Sequence, residues 1–147
     1  MSTAIHRLVD AARGGDDPSV VARLASGWAV FGRQQFVRGY LLLLPDPVVP
    51  DLNALAGGAR AQFLADMAAL GDALLAASGA LRINYAMFGN QEPALHAHVV
   101  PRYADEPAAL RTAHPWAYDW AAAPAFDPAA LDDLKAALQA RLAAPRG

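Results

Sequence analysis

Two histidines one residue apart are the groups in this sequence best suited to chemistry. His96 and His98 flank Ala97 and are followed by Val99-Val100-Pro101-Arg102. Residues two apart in a strand point to the same face, so the two imidazoles would be neighbours. An imidazole with an unperturbed pKa near 6.5 is largely neutral at physiological pH, so one ring can attack phosphorus while the other hydrogen-bonds the phosphoryl oxygens or the leaving group. The spacing therefore permits covalent phosphoramidate chemistry.

The same pair has two simpler interpretations, a structural role or half of a metal site. Zinc is held in proteins by at least three side-chain ligands. His6 and His114 are far away in the sequence, and each is typical of a surface or loop histidine. Zinc is therefore not indicated, and on spacing alone the choice between a catalytic and a structural pair stays open.

The histidines must be positioned by a strand that follows a turn. Leu81–Phe88 alternates as a strand, Gly89–Pro93 is rich in turn residues, and Ala94–Val100 is apolar apart from the histidines. Asn90 and nearby backbone amides could donate to a phosphate, although Asn in this context is ordinarily a turn residue. Arg102 after a proline is ordinarily a solvated strand end.

The two faces of the histidine strand differ in character. One face carries the histidines together with Ala94 and Val100, and the other is wholly apolar, with Leu95, Ala97 and Val99. The apolar face suits packing beneath a long helix predicted from Arg60 to Ser78, with Gly79 as its C-terminal cap. Such packing would hold the histidines rigidly.

The remaining pattern completes an α+β arrangement. A segment rich in Pro, Trp and Tyr from Tyr103 to Phe126 has no clean period and is expected to pack on the domain or on a partner. The other predicted elements are a helix over Ile5–Ala12, a hairpin of Val20–Leu24 and Trp28–Phe31, a strand over Leu41–Leu44, and a helix from Asp127 to Pro145.

Composition limits the class of protein. The 147 residues are 55% hydrophobic, have a formal net charge of -2 and contain no cysteine. These values predict one domain over 1–147, with a core of about 20–103 and an aromatic loop and helix over 104–147. They exclude disulfides, thiolate metal sites and a strongly basic surface for a nucleic-acid polymer. With no leader or membrane span in the pattern, we expect a cytoplasmic protein.

A longer string carries a family resemblance. Gly89–Arg102 resembles the histidine-triad (HIT) signature of three alternating histidines followed by Pro-Arg, especially in the branch where Gly-Asn and a proline precede the triad. Upstream, Trp28–Phe31, Gly39-Tyr40 and Leu41–Pro45 are similar to a HIT strand pair that ends in Gly-His and a Leu-Val-Pro-like strand. The resemblance covers roughly residues 20–103.

The resemblance implies an α+β HIT-like fold with an antiparallel sheet of about five strands, usually in a homodimer. It places His96 at the nucleophilic middle position and His98 at the third, phosphate-contacting position, both catalytic. It makes Asn90 a phosphate contact and places Val30 and Leu42 along the base and ribose of a bound nucleotide. No cofactor or site metal is implied.

Two departures from the family pattern bear on activity. Ala94 replaces the first histidine, and Gly32 stands where a nucleotide-contacting asparagine is common. The nucleophile remains, so the resemblance implies a nucleotide hydrolase or nucleotidyl transferase that acts at the α-phosphate of a dinucleoside polyphosphate, a nucleoside phosphoramidate or a related ester. The alternative is a weakly active or inactive nucleotide-binding or sensing protein.

Overall fold

The computed structural model describes residues 2–144 and contains one antiparallel sheet of five strands in the order β1-β2-β3-β5-β4. This confirms the predicted α+β class and strand number. In chain order the elements are α1 (Ala4–Gly14), β1 (Val20–Arg23), β2 (Gly27–Phe31), β3 (Leu41–Pro45), α2 (Gly57–Ser78), β4 (Arg82–Ala86), β5 (Ala97–Arg102), α3 (Ala108–Arg111) and α4 (Pro128–Ala143).

The ends of the helices follow from local chemistry. Helix α2 stops at Gly79, which adopts a left-handed conformation with φ of +76° that costs glycine little. Helix α4 starts after Asp127, whose carboxylate accepts from the amide of Ala129, and Pro128 occupies the first helical position. Both boundaries agree with the sequence prediction.

The sheet separates two apolar clusters. On one face Leu95, Ala97 and Val99 pack in a cluster with residues of α2 and α4. On the other face Ala94 and Val100 pack in a second cluster, to which α1 contributes. The predicted alternation is therefore confirmed, and α2 backs the histidine strand as expected.

The predicted start of the histidine strand was wrong by three residues. Strand β5 begins at Ala97 rather than Ala94, so His96 lies just before it. Pairing with β3 ends at Leu43 opposite Ala97, and the amide of Leu95 bonds instead to the carbonyl of Val49. Pro45, which would face Leu95 in a continued ladder, has no amide hydrogen to donate.

Arg102 is buried, which corrects the expectation of a solvated strand end. Its guanidinium donates to the Glu106 carboxylate, to the Asn84 side chain, and to the carbonyls of Leu110 and Ala113. Glu106 also accepts from the Tyr103 amide and the Tyr118 hydroxyl. This network holds the aromatic segment after β5 against the sheet, because a buried guanidinium must have its donors satisfied.

Candidate active site

The two histidine rings lie next to each other at the start of β5. Their centroids are 4.8 Å apart and their planes meet at 73°. His96 is buried, and His98 is half-buried in register with Leu42 of β3 and Ala86 of β4. The structure thus brings together the two predicted catalytic side chains.

One hydrogen bond fixes the chemistry of the His96 ring. Its Nδ1 lies 2.7 Å from the backbone carbonyl oxygen of Ala94. A carbonyl can only accept, so Nδ1 carries the proton and a neutral ring has its lone pair on Nε2. The lone pair is the form required of a nucleophile, and it does not depend on the side chain at residue 94, since the bond is made by the backbone.

His98 has an aromatic environment. Its Nδ1 lies 2.7 Å from the hydroxyl oxygen of Tyr40, and the two rings stack with centroids 5.9 Å apart. Trp116 and Trp120 meet the same imidazole edge to face. Burial, and secondarily the neighbouring His96, lower the pKa of His98 to about 4. His98 is therefore neutral at physiological pH.

A cavity of about 660 Å³ opens beside the two rings. Asn90 lines it together with both histidines, so the structure places three of the five predicted site residues around one space. The other lining residues are Gln34, Phe88, Gly89, Gln91, Glu92, Trp116, Tyr118, Asp119 and Trp120. Among them are two carboxylates, and none of these lining residues is Lys or Arg.

The structure does not bring Val30 and Leu42 into this cavity. The two residues are cross-strand partners, and Leu42 in turn pairs with His98, so all three stand in one row across the sheet. Val30 is 1% exposed and Leu42 is 8% exposed, within the cluster that includes Ile5 and Val9 of α1. Their contact with a base and ribose stays a prediction. In this conformation neither side chain presents an open surface to a ligand.

Sequence reasoning missed the aromatic residues that surround His98. Phe36, Tyr40 and Trp120 contact one another, and Trp120 also stacks on Trp116. The aromatic composition of Tyr103–Phe126 was the available signal. The segment was expected to pack on the domain or on a partner, and in the structure its Tyr103, Tyr118 and Trp120 pack on the domain. Nothing in that composition identified the histidine as the group that the tryptophans cover.

Within the described residues, no cluster of three or more His, Cys, Asp or Glu side chains is placed to hold a metal ion. His6 lies in the capping box of α1, where Nδ1 bonds to Thr3, and His114 lines a different cavity beside β4. Neither histidine joins the His96–His98 pair. In the same part of the chain, no helix is both long and apolar enough to cross a bilayer.

The structure shows the surroundings of Ala94, the residue that the resemblance places at the first triad position. The residue is fully buried and packs in an apolar cluster that includes Leu42 and Val100. Its side chain offers no hydrogen bond to either histidine. The pair therefore relies on the Ala94 carbonyl and on Tyr40 for orientation.

No protein-family model matches the chain, and no curated protein matches it. Solved structures do match the chain. A histidine triad protein from Bradyrhizobium japonicum superposes with a TM-score of 0.72 at 21% identity, over 84% of this chain and 90% of that one. A histidine triad protein from Marinobacter aquaeolei superposes with a TM-score of 0.71 at 20% identity, over 97% of both chains.

A hypothetical histidine triad nucleotide-binding protein from Sulfolobus tokodaii gives a TM-score of 0.71 at 11% identity, over 92% of this chain and 91% of that one. Identities this low establish the fold and leave the reaction to the site itself. With its five-stranded antiparallel sheet and its histidine pair at the start of β5, the chain has the histidine-triad fold.

Proposed function

We propose that this protein is a nucleotide hydrolase or nucleotidyl transferase that works through a covalent intermediate on His96. The observation that supports this most is the bond from Nδ1 of His96 to the Ala94 carbonyl, which leaves the Nε2 lone pair available beside an open cavity. A positioned imidazole whose Nδ1 is held by an acceptor, next to a second hydrogen-bonding ring, is the arrangement that nucleophilic catalysis at phosphorus requires.

The reaction proceeds in two displacements. Nε2 of His96 attacks the α-phosphorus, a P–N bond forms, and the bond to the leaving group breaks with its electron pair on the leaving group, which takes a proton from solvent. Water then attacks the same phosphorus and gives up a proton to solvent, the P–N bond breaks with its electron pair on Nε2, and the nucleoside monophosphate is released with a free imidazole. An acceptor other than water makes the second step a transfer.

His98 and Asn90 stabilise the phosphoryl oxygens. Both residues line the cavity with His96. Because His98 is neutral, it acts by donating a hydrogen bond rather than as a cation. Preorganised donors aimed at developing charge are usually the largest single contribution of an active site.

The charges of the cavity favour one branch of the substrate class. Glu92 and Asp119 line it, and it has neither Lys nor Arg among its lining residues. Several negative charges on a polyphosphate chain would be repelled there, whereas a nucleoside phosphoramidate carries one. Nucleoside phosphoramidates are therefore the first compounds to assay, ahead of dinucleoside polyphosphates.

Turnover of nucleoside phosphoramidates and dinucleoside polyphosphates tests the proposal. It is measured for wild type, His96→Asn, His98→Asn and His114→Asn. We expect His96→Asn to lose at least about 10³-fold in kcat and His98→Asn about 10²–10³-fold. His114→Asn is the matched control and should retain wild-type turnover. Equal turnover by wild type and His96→Asn would refute the mechanism.

A nucleotide-binding or sensing protein without turnover is the second candidate. It is favoured by the fully buried Ala94, which supplies no third imidazole. Calorimetry with nucleoside monophosphates beside the turnover assay separates the two candidates, since binding with no product over hours supports the second. The name of the Sulfolobus tokodaii neighbour, a nucleotide-binding protein, agrees with either.

A second copy of the chain is the expected partner. Within residues 2–144, β4 pairs only with β5 and forms an edge of the sheet, and the exposed Leu81, Tyr85 and Phe88 lie along it. An unpaired edge with apolar side chains is suited to pairing with another chain. Light scattering should give twice the chain mass, and Leu81→Glu should shift the protein toward the monomer.

A further inference from the structure

Tyr40 is a buried tyrosine that the proposed reaction has not used. It lies immediately before β3, is 3% exposed, and packs against Phe36 and Trp120. Its backbone is held by Gln35, whose side-chain amide donates to the carbonyls of Gly32 and Tyr40 and accepts from Gly39. The ring therefore has one defined position.

In that position the hydroxyl has one partner. The Tyr40 oxygen lies 2.7 Å from Nδ1 of His98, and the structure gives it no second hydrogen-bond partner within the described residues. A buried hydroxyl proton needs an acceptor, because burial without one costs free energy. Burial also raises the pKa of Tyr40, so the proton stays on the hydroxyl at physiological pH.

Two proton arrangements of this contact can be compared. If Nδ1 of His98 carried the proton, it would donate to the Tyr40 oxygen and the Tyr40 proton would be buried with no acceptor. If Nδ1 is unprotonated, it accepts the Tyr40 proton, and the buried hydroxyl is satisfied. The second arrangement satisfies the buried Tyr40 proton and leaves only the Nε2–H of the half-buried His98 ring without an acceptor in the described residues.

We propose that Tyr40 is a positioning residue whose hydroxyl donates to Nδ1 of His98 and so fixes the tautomer in which Nε2 carries the proton. The two neighbouring imidazoles then hold opposite tautomers. His96 has its proton on Nδ1, bonded to the Ala94 carbonyl, and its lone pair on Nε2. His98 has its lone pair on Nδ1 and an Nε2–H that no described protein group accepts.

The opposite tautomers give the two rings different roles in the proposed reaction. One Nε2 can attack phosphorus, and the other can donate to a phosphoryl oxygen. This use of the His98 Nε2–H rests on the proposed function, whereas the tautomer itself does not. A measurement of the tautomer therefore fails or succeeds independently of whether the protein turns over a nucleotide.

Nitrogen NMR of the histidine side chains at pH 7 tests the proposal on the full chain. The sequence has four histidines, and each ring is assigned by comparison with a His→Gln variant. In wild type we expect an unprotonated, hydrogen-bonded Nδ1 and a protonated Nε2 for His98, and the reverse for His96. A coupling from the Tyr40 hydroxyl proton to the His98 Nδ1 is expected as well. Protonation of the His98 Nδ1 in wild type would overturn the proposal, and this result requires no variant.

Tyr40→Phe and Tyr103→Phe provide the matched comparison. Both remove a tyrosine hydroxyl that makes one hydrogen bond, but the Tyr103 hydroxyl donates to the Arg38 carbonyl instead. Tyr40→Phe should move the His98 Nδ1 resonance downfield toward that of an unprotonated nitrogen without a hydrogen bond, while Tyr103→Phe leaves it unchanged. An unchanged His98 Nδ1 resonance in a folded Tyr40→Phe variant would also overturn the proposal.

Discussion

The ring of Tyr40 fills the space beside Gly32 that any side chain there would need. A Cβ at residue 32 would lie 2.1 Å from Cε2 of Tyr40, closer than real atoms approach. The Gly32 amide also donates to the Tyr40 carbonyl, so the backbones on both sides of the β2–β3 connection are tied together. Glycine at residue 32 and tyrosine at residue 40 are therefore two halves of one packing arrangement.

Gly32→Ala should destabilise the protein and disturb the site. The new Cβ displaces a buried ring, and overpacking of this kind costs about 1–3 kcal/mol in the free energy of unfolding. Denaturant titration measures the loss. Gly14→Ala in α1 is the control, because a Cβ at that position meets no atom within 4 Å. Equal stability of the two variants would show that the Tyr40 ring moves freely.

Glu106→Gln should lower stability far more than loss of an exposed ion pair. Arg102 and Glu106 have side chains only 8% and 5% exposed, and removing one charge leaves the other buried without its partner. Such changes cost about 3–5 kcal/mol. Since the network holds the segment with Trp116 and Trp120, tryptophan fluorescence should shift to the red as well.

Arg33→Met is the comparison for that experiment. The Arg33 side chain is 59% exposed, and its partner Asp17, 8% exposed, keeps its hydrogen bonds from the Ser19 amide and hydroxyl when Arg33 is removed, so we expect a loss of about 0–1 kcal/mol. If Glu106→Gln and Arg33→Met lowered the free energy of unfolding equally, the buried network would not be what secures the aromatic segment.

His98 should make the stability of the protein depend on pH in mild acid. Its folded pKa of about 4 lies below the ordinary histidine value because of burial and His96. Between about pH 6.5 and 4 the unfolded chain binds a proton at this site that the folded chain does not, so stability falls as the pH is lowered through that window. His98→Gln should show a smaller loss between pH 7 and pH 5 in denaturant titrations. Identical losses would contradict the shift.

Ala94→His should not create a working third histidine. Residue 94 is fully buried among apolar side chains, so the added ring overpacks the cluster and costs about 1–3 kcal/mol or more. Turnover should stay at or below the wild-type value. Ala94→Ser, which keeps the size nearly constant, is the control. A gain in turnover by Ala94→His alone would mean that this position faces the reacting groups.

The local features of the sequence predicted the frame of the site. The period-two pattern around His96 and His98 identified which neighbours share their face, and Gly79 and Asp127 marked helix ends. These inferences succeed because each depends on backbone geometry over a few residues.

The contacts that orient the site residues could not be predicted from the sequence because they join segments far apart in the chain. Tyr40 and His98 are 58 positions apart, and neither composition nor spacing links them. The burial of Arg102 depends on how the chain folds back after β5, and the covering of Val30 and Leu42 depends on where α1 packs. Such contacts are set by tertiary packing rather than by local pattern.

The covalent step on His96 is the central claim, and mass measurement of the intact protein tests it most directly. Wild type mixed with a nucleoside phosphoramidate and quenched within one turnover should gain the mass of one nucleoside monophosphate less water, on a peptide that contains His96. His98→Asn should accumulate the same adduct more slowly, and His96→Asn should gain none. Product formation by wild type with no adduct at any quench time, or an adduct that persists in His96→Asn, would contradict the account.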